Sequence, residues 1–147
     1  MTTLKHFAAN PALEGIYQAK RDVVYSTATG VDLTLTLIYP WATDFAEEKP
    51  VLPLVVYIQG SGWMTPEQGF MLPQLGELAR RGFVVASVGH RDCAAHGAPL
   101  PAQIIDVKCA IRYLRAHAAE LGIDPVRVAI WGTSSGSHLA QLVGVTA

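Results

Sequence analysis

Val126–Trp131 (VRVAIW) runs without a break into Gly132-Thr133-Ser134-Ser135-Gly136, and then into Ser137–Gly144 (SHLAQLVG). The first piece, apolar but for Arg127, reads as a strand buried on both faces, and the last begins a helix. Between them the chain must turn sharply, and a glycine stands on either side of that turn. Two earlier runs repeat the strand signature, Leu54–Ile58 (LVVYI) and Phe83–Val88 (FVVASV). A helix between them starts near Pro73, a residue suited to a first helical turn, and ends at Arg81 with Gly82 as its cap. A second helix starts at Pro101, after the loop Arg91–Leu100. Its apolar residues Ile104, Val107, Ile111, Leu114, Ala118 and Leu121 recur at steps of three and four. Gly122 caps it and Asp124-Pro125 turns the chain.

Upstream, Leu33–Tyr39 (LTLTLIY) alternates leucine with threonine, the two-residue period of a strand with one wet face, and Pro40 ends it. Lys20–Ser26 reads as a short strand, Thr29-Gly30 as a turn, and 41–53, with Pro50 and Pro53, as a loop. Residues 1–20 form an N-terminal extension, irregular or weakly helical. The order predicts an α/β domain with a mostly parallel sheet, helices on both faces and right-handed crossovers. The chain, 1–147, is expected to be one domain.

Half of the 147 residues are apolar, 16% are charged and the formal net charge is −1. That is the balance of an ordinary globular protein, with no basic face for nucleic acid. No apolar stretch is long enough to cross a bilayer, and the N-terminus has no basic segment leading into an apolar core. No membrane association and a cytoplasmic address are the expectations. Cys93 and Cys109 stand in no metal-ligand spacing, so no metal and no cofactor are expected. Cys109 falls in a helical pattern as a reduced packing residue, and Cys93 in a loop.

The pattern Gly132-Thr133-Ser134-Ser135-Gly136 is G-x-S-x-G, placed where a strand ends and a helix starts, the setting of a nucleophile elbow. A sharp turn there strains Ser134, and side chains at Gly132 or Gly136 would collide. The competing reading is a glycine-rich strand–helix turn, or one that binds phosphate at the helix N-terminus. A hydroxyl that attacks a carbonyl creates an oxyanion, which needs preorganised N–H donors, each worth about 3–4 kcal/mol of barrier. One donor is expected from the backbone of Ser135. Others are expected from Gln59-Gly60-Ser61-Gly62-Trp63, small residues that let bare backbone face a pocket.

From Leu54 to Gly144 the chain resembles the esterase/lipase branch of the α/β-hydrolase superfamily, the group with acetyl-xylan and feruloyl esterases and hormone-sensitive-lipase-like enzymes. Gln59–Trp63 resembles its His-Gly-Gly-Gly-Trp oxyanion loop. Pro101-Ala102-Gln103, Asp106-Val107-Lys108, Ala110–Leu114 and Gly122–Pro125 resemble its central helix, and Trp131–Ala140 (WGTSSGSHLA) its elbow. The resemblance implies the N-terminal part of an α/β-hydrolase fold, with Ser134 as nucleophile and Ser61, Gly62 and Ser135 as oxyanion N–H donors. It implies a small ester substrate, such as acetylated or feruloylated sugars or short-chain esters. Trp63 and the Met64–Met71 segment have two readings, lining the acyl side or packing. Gln59 replaces the loop histidine, Ser61 the middle glycine, and His90-Arg91 the usual Tyr-Arg.

Members of that branch order their triad as Ser, then Asp or Glu, then His. Thirteen residues follow Ser134 here, none of them acidic. The histidine among them, His138, lies one helical turn on and is expected to pack. His90 and His96, with Asp92, precede the elbow, and Arg91 and Asp106 are expected to form a structural ion pair. The expectation is therefore a truncated chain with little or no turnover of its own. The strand Val126–Trp131 would be an unpaired sheet edge that favours self-association. An amide or peptide hydrolase, and a non-catalytic remnant or interaction module, are the alternative readings.

Overall fold

The computed structural model describes residues 16–41 and 50–146. Its elements are β1 (Tyr17–Ser26), β2 (Leu33–Pro40), β3 (Leu52–Ile58), α1 (Leu72–Arg80), β4 (Val84–Val88), α2 (Ala102–Ala116), α3 (Ala118–Leu121), β5 (Ile123–Gly132) and α4 (Ser135–Val145). The strands form one sheet in the order β1-β2-β4-β3-β5. β3 pairs in parallel with β4 and β5, whereas β2 is antiparallel to both β4 and β1. Four of the five strands therefore share one direction and β2 alone is reversed.

Side chains alternate along each strand, so the sheet has two cores. Leu54, Val56 and Ile58 of β3 and Ala86 and Val88 of β4 meet Val107, Ala110 and Leu114 of α2 and Leu139 of α4. Val55 and Tyr57 of β3 and Val85 of β4 face the other way, against Leu75 and Ala79 of α1. Helices thus cover both faces, as the pattern predicts.

Several local readings need correction. β1 begins at Tyr17, three residues before the expected Lys20, so the end of the supposed extension belongs to the sheet. The reason is packing: the Tyr17 ring lies so close on α1 that a Cβ on Gly76 would stand 2.1 Å from its Cε1. Residues 1–15 of that extension, and 42–49 of the expected 41–53 loop, lie outside the described residues. β3 takes in Pro53, at the point where its register with β5 shifts. Proline is tolerated at such a bulge.

β2 has no wet face. It lies inside the sheet, and Thr36 is buried, with its hydroxyl donating to Gln68 Oε1 at 3.1 Å. Alternation with threonine marked two buried faces, one of them satisfied by a side chain from the loop before α1.

β5 departs in the opposite sense. It was expected to be buried on both faces, yet it pairs with β3 alone among the described residues. Val126 is 86% exposed and Trp131 40%, while Val128 and Ile130 are half-buried against α2 and α4. The expected edge is there. Pro125, Val126 and Arg127 bulge out between the pairs Pro53–Asp124 and Leu54–Val128, which is the turn expected at Asp124-Pro125. The long helix from Pro101 is interrupted at His117, whose ring Nδ1 bonds the Tyr113 carbonyl at 2.9 Å, and Gly122 ends α3 in the left-handed conformation. No described helix is long and apolar enough to cross a membrane.

Candidate active site

Ser134 occupies the step between β5 and α4 with φ 49° and ψ −125°. That backbone region is strained for any residue with a Cβ, and such strain persists only where the surroundings enforce it. The surroundings here are three glycines. A Cβ on Gly132 would stand 2.3 Å from the Gly136 carbonyl oxygen, and one on Gly136 2.1 Å from that of Ile58. A Cβ on Gly60 would stand 2.6 Å from Ser134 Cβ. The bend is therefore pressed against the end of β3 and the loop that follows it. Ser134 is exposed, and its Oγ makes no hydrogen bond among the described residues.

The loop Gln59–Trp63 is stitched to the elbow by the two residues flanking Ser134. Gly60 N donates to Thr133 Oγ1 at 3.0 Å, and the Tyr57 hydroxyl lies 3.2 Å from the same oxygen. Ser61 N and Gly62 N both donate to Ser135 Oγ, at 3.0 and 2.9 Å. Ser61, Gly62 and Ser135 thus come together beside Ser134. The two loop amides converge on a side-chain oxygen of the elbow, while the Ser135 amide has no acceptor among the described residues. Thr133, Tyr57 and the Ser135 hydroxyl are the participants that motif reasoning missed. A pattern written G-x-S-x-G treats positions 133 and 135 as free.

Trp63 also has a positive φ, 62°, and is partly exposed. Its ring meets the edge of His138 at 5.7 Å between centroids. His138 thus rests on Trp63, on the first turn of α4.

The far side of the loop is anchored by Asp92. Its carboxylate accepts from Ala94 N and Ala95 N at 2.7 Å, from Thr65 N at 2.7 Å and from Thr65 Oγ1 at 3.1 Å. These donors, with Ala95 N foremost, hold its pKa down at about 2. Asp92 N donates to His96 Nδ1 at 2.8 Å, and Cys93 N to the Trp63 carbonyl at 3.0 Å. His90 is buried and donates from Nδ1 to the Arg91 carbonyl at 2.9 Å, leaving Nε2 buried without a partner. Burial lowers its pKa. Neither His90 nor His96 hydrogen-bonds Ser134. The expected pair of Arg91 with Asp106 is present and forked: Arg91 Nη2 reaches Oδ1 at 2.8 Å and Nε reaches Oδ2 at 2.9 Å. A groove of about 410 Å³ between α2, β5 and α4, lined by Lys108, Arg112, Val128 and Val143 among others, holds none of the elbow residues.

This geometry has relatives. The BD-FAE family model matches residues 43–147. Esterase LipC of Mycobacterium tuberculosis is 32% identical over 134 residues, which are 89% of this chain and 31% of that protein. Carboxylesterase NlhH of the same species is 36% identical over 97 residues, 63% of this chain and 28% of the relative. Esterase 2 of Thermogutta terrifontis with propionate bound superposes with a TM-score of 0.71 at 34% identity, covering 88% of this chain and 45% of that structure. The chain spans about a third of the length of these curated relatives. It belongs to the BD-FAE family, within the esterase and lipase branch of the α/β-hydrolases.

Proposed function

We propose that Ser134 is the nucleophile of a serine carboxylic-ester hydrolase for small acyl or acetylated-carbohydrate esters. The observation that carries this reading is the strained backbone of Ser134, one residue before Ser135, on whose hydroxyl the amides of Ser61 and Gly62 converge. Strain held by packed backbone is what a preorganised nucleophile requires. Ser134 Oγ attacks the acyl carbon, the carbonyl oxygen becomes an oxyanion against the amides, and the alcohol leaves an acyl-enzyme that water cleaves. The esterase relatives support ester substrates, and the propionate held by the Thermogutta enzyme supports a short acyl group.

Proton transfer from Ser134 needs a base, and the described residues place none against Oγ. Turnover of p-nitrophenyl butyrate by this chain alone is therefore expected to lie about 10⁴–10⁶ below that of a complete triad. Site selectivity tests the reading without a triad. Prolonged reaction with a fluorophosphonate, followed by peptide mapping, should find the adduct on Ser134 ahead of exposed serines and absent in Ser134→Ala. A label spread evenly over the serines would refute it and favour a non-catalytic module. The edge of β5 that pairs with no strand among the described residues is the surface through which copies of the chain would associate, read by sedimentation.

A further inference from the structure

Two backbone N–H groups that converge on one oxygen are the arrangement an oxyanion needs, and here that oxygen already exists. Ser61 N and Gly62 N point at Ser135 Oγ, at 3.0 and 2.9 Å. Each N–H has a single hydrogen, so these donors are engaged before any substrate arrives. The loop cannot simply swing away to release them. Thr133 Oγ1 holds Gly60, the Trp63 carbonyl holds Cys93 N, and Thr65 is tied to Asp92 by two bonds. Ser135, in contrast, is the first residue of α4, and its hydroxyl moves by rotation about one bond.

We infer that the Ser135 hydroxyl is a resident acceptor that fills the amide pair at rest and yields it to the charged oxygen of a tetrahedral adduct on Ser134. This rests on the esterase reading and deepens it. Hydrogen bonds to an ionised acceptor are roughly twice as strong as those to a neutral one. An ester carbonyl therefore competes poorly with the resident hydroxyl, while an oxyanion displaces it. The plug makes the site admit a charged oxygen in preference to the ground-state carbonyl, and the transition state gives up the plug's own hydrogen bonds to enter it. Ligand access is open, since Ser134 and Gly62 are exposed and Ser61 is half-buried.

Butylboronic acid tests this in the 147-residue chain: Ser134 Oγ bonds to boron, the serine proton passes to solvent, and the tetrahedral boronate that results is an anion with its oxygens at the oxyanion position. Affinity is measured by amide shifts in the parent, in Ser135→Ala, in Ser135→Thr and in Ser134→Ala. Amide hydrogen exchange at Gly60, Ser61 and Gly62 is followed in parallel. Ser135→Ala is expected to bind the boronate about tenfold to a hundredfold more tightly than the parent, the hydroxyl no longer competing for two donors. Ser135→Thr, which keeps the hydroxyl, should bind like the parent. Exchange at Ser61 and Gly62 should quicken about tenfold in Ser135→Ala, with Gly60 unchanged. Equal or weaker boronate binding by Ser135→Ala overturns the plug and leaves the hydroxyl a simple tether. If no variant binds boronate, no charged oxygen displaces the hydroxyl and the plug is overturned, while fluorophosphonate labelling of Ser134 decides the esterase reading separately.

Discussion

Gly136 lies against Ile58 with no room for a methyl group: a Cβ there would stand 2.1 Å from the Ile58 carbonyl oxygen and 2.7 Å from its carbon. Backbone faces it on the β3 side, so no side chain can bend out of the way. Gly136→Ala is expected to lose about 3 kcal/mol or more, because overpacking against backbone cannot relax locally. Urea unfolding would show it. A loss below 1 kcal/mol would mean that the elbow is looser than it stands here.

Ser134 pays for its placement in backbone strain, at φ 49° and ψ −125°. Such a conformation costs about 1–3 kcal/mol and is one that glycine adopts freely, at an entropic cost of about 0.5–1 kcal/mol. Ser134→Gly should therefore be more stable than the parent by about 1 kcal/mol, while Ser134→Ala, which keeps a Cβ, should not. Equal denaturation midpoints for the two variants would argue against strain at this residue.

His90 is buried, and burial lowers its pKa below the ordinary value of about 6.5. The unfolded chain then binds the proton first as pH falls, so stability is full above about 6.5 and declines below it. His90→Phe should flatten the profile between pH 7 and 5. Asp92 acts in a separate window: its folded pKa, depressed to about 2, contributes stability above about 4 that is lost as pH falls toward 2. A parent profile that is flat from pH 7 to 5 would contradict the assignment for His90.

The forked pair of Arg91 and Asp106 joins the loop after β4 to α2, and the Asp106 side chain is 2% exposed. Removing only the arginine strands a buried carboxylate, so Arg91→Ala should cost about 3–5 kcal/mol. Replacing both by apolar residues (Arg91→Met with Asp106→Leu) should recover much of that loss, measured as a double-mutant cycle. Additive losses would show that the pair is not coupled.

What could be read from residues alone was local. The strand–bend–helix at Val126–Gly144, the cap at Gly122 and the helices opened by Pro73 and Pro101 rest on apolar spacing and on glycine and proline, signals that act within a few residues. The placing of Ser134 on a bend followed from the glycines around it. The Leu–Thr alternation of β2 was read as one wet face because a threonine in a strand looks the same whether it meets water or Gln68.

Strand–bend–helix order, the two-sided cover of the sheet and the candidate nucleophile were therefore determined by the sequence itself. Only the tertiary structure decided that β2 is interior, and that Gly60, Ser61 and Gly62 turn their amides onto Thr133 and Ser135. Those facts depend on which segments become neighbours across 73 or 74 positions of chain. A hydrogen bond between distant segments leaves no periodicity in either of them, so it exists only once the sheet has brought them together.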